Sequence, residues 1–364
     1  MKVILAGGGT GGHIYPAIAI ADKIRENLPG AEILFVGTKK GLESRLVPEA
    51  GYPIEYITVQ GFDRKHMLNN AKTAGELAIG MAQARRIVRR FKPDVVIGTG
   101  GYVCGPVVRE GAKAGARCFI QEQNAFPGVT NKMLEKHVEK VFLGFKDGGS
   151  YFKQPEKHVF TGNPVRDAFF KANIMESREE LGIAEDDFVI LSFGGSRGAG
   201  RINKAMLDVV REFNGVDKVK VFFGTGDMYY DTILDTFKDE GIELADNIKI
   251  MEYINRMDLY LPAADVVISR GGALSLAEIT VCGKCAILVP SPNVTANHQY
   301  YNAMALANAG GAIVIEEKEL TDSGLIVRLL ELKDNPEKVA MMGTSTRKCA
   351  LTNSTDVIYH EIFD

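Results

Sequence analysis

His13 directly follows a run of glycines, Gly7-Gly8-Gly9-Thr10-Gly11-Gly12, and that placement gives it a chemistry. An imidazole at the start of a helix should stay neutral near pH 7, because the positive end of the helix dipole opposes protonation. A neutral imidazole accepts a proton, so His13 is a candidate general base for an attacking hydroxyl. Read alone, it fits equally well as a histidine that only bonds a loop carbonyl or caps the helix. A second glycine run, Gly194-Gly195-Ser196-Arg197-Gly198-Ala199-Gly200, sets Ser196 and Arg197 at its tip. Glycine lets the backbone approach a ligand closely, and a helix N-terminus offers unpaired N–H groups to an anion. A third segment, Ser269-Arg270-Gly271-Gly272, leads into Ala273-Leu274-Ser275-Leu276-Ala277-Glu278. First-turn N–H groups there would face a diphosphate, and Glu278 could accept hydrogen bonds from ribose hydroxyls. A lone Glu of this kind is more often a helix-surface carboxylate. The polar run 290–299 ends in His298-Gln299, which could read sugar hydroxyls, although capping by Asn297 explains the segment as simply.

These residues need elements to hold them, and the chain supplies a regular alternation. Short apolar runs predict strands at 2–6, 32–36, 94–98, 117–121 and 139–143, with weaker ones near 54–58 and 157–161. Helical patterns fall between them at 14–28, 42–50, 71–91, 104–115 and 128–136. The second half predicts strands at 188–193, 219–223, 248–251, 265–268, 285–289 and 312–315, with helices at 200–213, 228–240, 256–262, 273–283, 297–309 and 319–333. Strands this apolar, separated by helices, indicate parallel sheets covered on both faces. The expected fold is therefore α/β, with two doubly wound, Rossmann-like domains facing across a cleft. The joint falls near Gly162-Asn163-Pro164, before a charged stretch at 176–187. Ligands of such sheets bind beyond the carboxyl ends of the strands, where every segment above lies.

Gly7, Gly9 and Gly12 also satisfy the dinucleotide fingerprint G-x-G-x-x-G. That fingerprint wants an acidic residue at the end of the second strand, which instead runs Val36-Gly37-Thr38-Lys39-Lys40. The dinucleotide reading is demoted, with the lysines left as possible partners of a 2′-phosphate.

The 364 residues suit two domains, and the 46% apolar and 24% charged fractions are those of an ordinary globular protein. A net charge of −3 gives no reason to expect nucleic acid as a partner. No apolar run approaches the ~20 residues of a membrane-spanning helix. The opening MKVILAGGG is too short for a signal-peptide core, so the expected setting is cytoplasmic. Five scattered cysteines do not suggest a disulfide framework. Cys282-Gly283-Lys284-Cys285 has redox spacing, but it follows a helix and precedes a strand, so Gly283 reads as the glycine that ends the helix.

Taken together, the motifs are more specific than any one loop. GGGTGGHIYP at 7–16, GTGGYVCGP at 98–106, EQNAFPG at 122–128 and GNPVR at 162–166 resemble those of the MurG family of glycosyltransferases. So do GGSRGAGRIN at 194–203, MEYI at 251–254, RGGALSLAE at 270–278 and NHQ at 297–299, in the same order over nearly the whole chain. The resemblance implies the two-lobed GT-B fold, with an acceptor and membrane-facing domain at 1–163, a UDP-sugar domain at 164–344 and a helix at 345–364 returning to the first domain. It implies inverting transfer of N-acetylglucosamine from UDP-N-acetylglucosamine to the 4-hydroxyl of lipid I, the undecaprenyl-pyrophosphoryl muramyl pentapeptide. The product, lipid II, serves peptidoglycan synthesis and thereby cell shape and division. Implied donor contacts are Thr10, Gly11, Gly12, Asn124, Arg166, Ser196, Ile254, Ala273, Leu274, Ser275, Leu276, Ala277, Glu278 and Gln299. His13 is the leading base, with Glu122 and Asn124 as groups that position the reactants. Cys104 stands where the family commonly has serine.

Inversion requires a single displacement, with a base taking the acceptor proton while helix N-termini stabilise the departing diphosphate. GT-B enzymes use such dipoles in place of a metal, and no DxD pair stands in a plausible loop, so neither metal nor cofactor is expected. A lipid-borne acceptor also implies peripheral contact with the anionic inner face of the cell membrane. The helix at 71–91 suits that role, with Leu77, Ile79 and Met81 followed by Arg85, Arg86, Arg89, Arg90 and Lys92. The rival readings are a GT-B enzyme with another acceptor, a nicotinamide-dependent oxidoreductase and a sugar-nucleotide binding protein without turnover.

Overall fold

The computed structural model describes residues 1–60, 70–195, 197–294 and 297–364. It divides into two units, Met1–Arg166 with Asn353–Asp364, and Asp167–Thr352.

The first unit begins with β1 (Lys2–Gly7), α1 (Gly11–Asn27), β2 (Glu32–Gly37), α2 (Glu43–Glu49), β3 (Ile54–Tyr56) and α3 (Asn70–Phe91). It continues with β4 (Val95–Gly100), α4 (Cys104–Lys113), β5 (Arg117–Glu122), α5 (Val129–Leu134), β6 (Lys140–Leu143) and β7 (His158–Phe160). The seven strands form one parallel sheet in the order β3-β2-β1-β4-β5-β6-β7. Successive residues of β1 feed opposite faces, as strand geometry demands. Ile4 and Ala6 join Ile87, Val88, Val107 and Val108 on one side, while Val3 and Leu5 join Ile14, Ile18 and Ile24 on the other. Strand order reverses between β1 and β4, and that switch point is where such sheets open a crevice for ligands.

The second unit opens with α6 (Asp167–Lys171), α7 (Ile174–Glu180), β8 (Phe188–Phe193), α8 (Gly200–Phe213), β9 (Val219–Gly224), α9 (Tyr230–Asp239) and β10 (Ile248–Met251). Next come α10 (Met257–Ala263), β11 (Val266–Ser269), α11 (Ala273–Cys282), β12 (Cys285–Leu288), α12 (His298–Asn308), β13 (Ala312–Val314), α13 (Asp322–Lys333) and α14 (Pro336–Lys348). Its parallel sheet runs β10-β9-β8-β11-β12-β13, with the switch point between β8 and β11. α8 shows why these helices form: Ile202, Met206, Val209, Val210 and Phe213 recur at helical period and are all buried against the sheet.

The structure differs from the sequence reading in three places. α1 starts at Gly11 rather than 14, because Gly11 and Gly12 already take helical geometry, so Pro16 sits inside the helix. The sequence reading places no helix between 164 and 187, yet the charged stretch runs partly through α7: Asn173 caps it by accepting from Met175 N, and Arg178 is buried in an ion pair with Asp265 at 2.7 Å. Residues 345–352 stay with the second unit, because α14 continues to Lys348 against β12 and α11. The segment that joins the first unit is α15 (Ser354–Phe363), whose Ile358 and Ile362 are fully buried beside α1. Burying two such side chains contributes about 3–6 kcal/mol. Lys23 pairs with Asp356 at 2.6 Å and Arg117 donates to the Ile362 carbonyl at 2.6 Å, which fixes the helix in place.

Candidate active site

In the first unit the glycine loop carries the chain from β1 into α1 at the switch point. Gly9 has φ +87°, a conformation that favours glycine. Thr10 is the N-cap, with extended backbone and no side-chain cap bond, so the first-turn N–H groups of α1 have no side-chain acceptor. His13 lies in that first turn, half-buried, with Nδ1 3.0 Å from the Gly8 carbonyl oxygen. A carbonyl only accepts, so Nδ1 carries a proton, and the ring nitrogen left to accept one is Nε2. Nε2 has no hydrogen-bond partner among the described residues. Gly100, at the end of β4, forms the wall beside the ring: a Cβ there would sit 2.5 Å from Cδ2 and 2.9 Å from Nε2 of His13.

Buried polar groups lock this arrangement. Thr99 Oγ1 donates to the His13 carbonyl at 2.7 Å, and Gln123 Nε2 donates to the Thr99 carbonyl at 2.6 Å. Gln123, Gln121 and Asn163 bond one another in a closed set beneath the ends of β4 and β5, which ties the GNP turn at 162–164 to the crevice. Cys104 contributes a buried thiol that bonds the Ala6 carbonyl at 2.8 Å; burial pushes its pKa up to about 12, so it serves as a staple and not a nucleophile. Thr99 thus brings His13 and the loop after β5 together.

Glu122 is 2% exposed and accepts four N–H groups: Asn124 N and Nδ2 on one oxygen, Gly128 N and Asn131 Nδ2 on the other. Its bonds shape the 122–128 loop and the start of α5, and Asn124 is oriented by them. Glu43 is fully buried and was missed by sequence reasoning. Its carboxylate accepts from Thr38 N at 2.8 Å, Thr38 Oγ1 at 2.7 Å and Gly9 N at 2.9 Å. This acid therefore grips the glycine loop, where a dinucleotide enzyme would turn one toward ribose. In sequence it looks like an ordinary acid in a first helical turn.

The second unit presents its own set of loops. α8 and α11 both begin without a side-chain cap, at Ala199 and Gly272, leaving first-turn N–H groups for an anion. Ala273, Leu274, Leu276 and Glu278 are buried, while Ser275 and Ala277 are half-buried. Gln299 Oε1 accepts from Ser291 N at 2.9 Å, which pins the polar loop. Asn302 Nδ2 donates to the Gly271 carbonyl at 3.2 Å, which seats α12 against the loop after β11. Ile254 is buried and closes the end of β9, where a Cβ on Gly224 would lie 2.9 Å from its Cδ1. Arg270 is taken up by Glu317 at 2.9 Å and the Val289 carbonyl at 3.0 Å. Ser196 lies outside the described residues.

Two family models match the chain, the glycosyltransferase family 28 N-terminal domain over residues 3–143 and the glycosyltransferase family 28 C-terminal domain over 189–358. A UDP-N-acetylglucosamine–N-acetylmuramyl-(pentapeptide) pyrophosphoryl-undecaprenol N-acetylglucosamine transferase from Ruminiclostridium cellulolyticum is 47% identical over 364 residues, covering 100% of this chain and 99% of that one. A protein of the same description from Thermoanaerobacter sp. (strain X514) is 46% identical over 359 residues, covering 99% and 98%. The chain belongs to this transferase family. Among solved structures, MurG of Acinetobacter baumannii matches with a TM-score of 0.70 at 26% identity over 99% of this chain and 98% of that one.

Within this transferase, the structure divides the sequence-derived site residues by unit. Thr10, Gly11, Gly12, His13, Glu122, Asn124 and Arg166 belong to the first; Ile254, the 273–278 segment and Gln299 belong to the second. Arg166 lays its guanidinium on the Tyr15 ring, 4.2 Å from the centroid, and so stands beside α1. Gly283 ends α11 with φ +63°, and burial pushes both Cys282 and Cys285 up to about 12, which leaves no poised thiolate for redox work. No helix among the described residues is long and apolar enough to cross a membrane.

Proposed function

We propose that the chain transfers N-acetylglucosamine from UDP-N-acetylglucosamine to the 4-hydroxyl of lipid I, with inversion at the anomeric carbon, and so forms lipid II for peptidoglycan synthesis. The observation that carries this reading is the held imidazole: His13 Nδ1 sits 3.0 Å from the Gly8 carbonyl, which leaves Nε2 as the proton acceptor, in a chain that matches such transferases end to end. In the proposed step, Nε2 takes the proton of the acceptor hydroxyl as its oxygen bonds to the anomeric carbon. The bond from that carbon to the diphosphate breaks, and its electron pair leaves with UDP. The first-turn N–H groups of α11 meet the charge that develops on the diphosphate. Glu278 accepts from the ribose hydroxyls, Gln299 reads the sugar, and Ile254 supplies an apolar wall. Glu122 and Asn124 shape the acceptor side. No step in this scheme calls for a metal ion.

The lipid-borne acceptor brings the enzyme to the inner face of the cell membrane as a peripheral protein. α3 supports that contact. Leu77 and Ile79 are exposed near its first half, and Arg85, Arg86, Arg89, Arg90 and Lys92 are exposed near its end. Basic groups near an anionic surface contribute about 1 kcal/mol each. Arg90 is already paired with Glu55, so the others contribute most. The test of the activity is UDP release from UDP-N-acetylglucosamine with and without a soluble lipid I analogue. Release that depends on the analogue and yields a β-linked disaccharide supports the reading; release at the same rate without it, or none, overturns it.

A further inference from the structure

The peptide between Gly8 and Gly9 is bonded at both ends by side chains. Its N–H, on Gly9, donates to Glu43 Oε2 at 2.9 Å, and its carbonyl, on Gly8, accepts from His13 Nδ1 at 3.0 Å. A peptide is one conjugated plane, so a carboxylate on its N–H side draws negative charge onto its oxygen. Hydrogen bonds linked this way strengthen one another by roughly 10–30% each. We infer that Glu43 is a positioning residue for the transfer: it acts on His13 through the Gly8–Gly9 peptide, holding the proton on Nδ1 and keeping Nε2 free to accept. In a serine-protease triad the carboxylate touches the imidazole directly. Here a peptide group stands between them. The inference rests on the reading of His13 as the base.

The arrangement is built and not incidental. Glu43 is 0% exposed, and Thr38 holds its other oxygen through N at 2.8 Å and Oγ1 at 2.7 Å, which aims Oε2 at Gly9. The surroundings are glycine because nothing larger fits: a Cβ on Gly8 would lie 2.5 Å from Glu43 Oε1, and one on Gly37 would lie 2.5 Å from its Cγ. Three donors converge on two oxygens, a demand that a carboxylate meets and a carboxamide does not. A glutamine at this position must turn its NH2 group toward either Gly9 or Thr38, donor against donor.

The test uses the full chain with 15N-labelled histidine. It compares the wild type with Glu43→Gln, Thr38→Val and His13→Ala by long-range 1H–15N spectra and by steady-state kinetics with UDP-N-acetylglucosamine and a lipid I analogue. The wild type should show a protonated Nδ1 and an unprotonated Nε2 on His13. Glu43→Gln should shift the ring toward the other tautomer and lower kcat by about 10–100-fold, the range seen when a group that orients an imidazole is lost, with KM for the sugar nucleotide unchanged. Thr38→Val, which keeps the Gly9 bond, should leave the tautomer as in the wild type. If Glu43→Gln does not fold, Glu43→Asp withdraws the oxygen from Gly9 while keeping the charge, and it should give the same two changes. A fall in kcat with the tautomer unmoved, or no fall at all, overturns the inference. Full activity in His13→Ala instead overturns the base assignment, which separates the two failures.

Discussion

Replacing Gly100 by alanine should disable the proposed base while leaving His13 itself unsubstituted. Gly100 has φ +116°, which costs a residue with a Cβ about 1–3 kcal/mol. The new methyl would also stand 2.5 Å from Cδ2, 2.9 Å from Nε2 and 3.2 Å from Cγ of His13. Ordinary contact begins near 3.4 Å, so the ring must retreat by roughly 0.9 Å. The Gly8 carbonyl bond to Nδ1 resists that movement. A misplacement on this scale costs about a hundredfold in rate, because the base no longer meets the hydroxyl at bonding distance. The assay is kcat for transfer to a soluble lipid I analogue, with the Kd for UDP and the melting temperature measured on the same protein. We expect kcat to fall by about 10²-fold, Tm by about 2–12 °C, and UDP affinity to stay within about twofold. A folded Gly100→Ala protein with wild-type kcat would refute the reasoning, since the ring would then not be working where this crevice holds it.

Three further predictions concern other parts of the molecule. Glu122→Gln leaves two of the four N–H groups that Glu122 accepts, most of them part-buried, facing an NH2 group, so urea unfolding should show a loss of about 1–3 kcal/mol; no measurable loss would contradict the loop-shaping role. Lys284 is buried, and desolvation pushes its ammonium down to about 8 from 10.5. Between those pH values the unfolded chain binds more protons, so native stability should rise with pH across that window by about 3 kcal/mol relative to Lys284→Met. Parallel pH curves for the two proteins would contradict it. Replacing Arg85 and Arg86 by glutamine should weaken sedimentation with anionic vesicles at low salt by about 2 kcal/mol, or roughly thirtyfold. Equal binding of the wild type to neutral and anionic vesicles would count against the membrane role of α3.

The sheets were legible because their strands are continuous apolar runs, and Val3-Ile4-Leu5-Ala6 or Val266-Val267-Ile268 can only be buried on both faces. The glycine loops were legible because glycine marks close approach. What each glycine approaches was not. Gly8, Gly37 and Gly41 all surround one carboxylate, and Glu43 reaches Gly9 across 34 residues of sequence. No local window shows that pairing. His13 was singled out by type and position, but which ring nitrogen is left to accept a proton depends on a bond to Gly8 that only the folded loop makes. Gln121, Gln123 and Asn163 carry no distinguishing local signal, and their closed set of bonds needs β5 and the 162–164 turn side by side. α7 was not read from the sequence at all: it rests on the Asn173 cap and on Arg178 reaching Asp265, a contact made across 87 residues.

The most direct test of the account is His13→Ala in a transfer assay with saturating UDP-N-acetylglucosamine and a soluble lipid I analogue. Loss of the general base should lower kcat by about 10²–10⁴-fold while the Kd for UDP and the unfolding midpoint stay close to those of the wild type. Near-normal turnover in that variant would contradict the account at its centre.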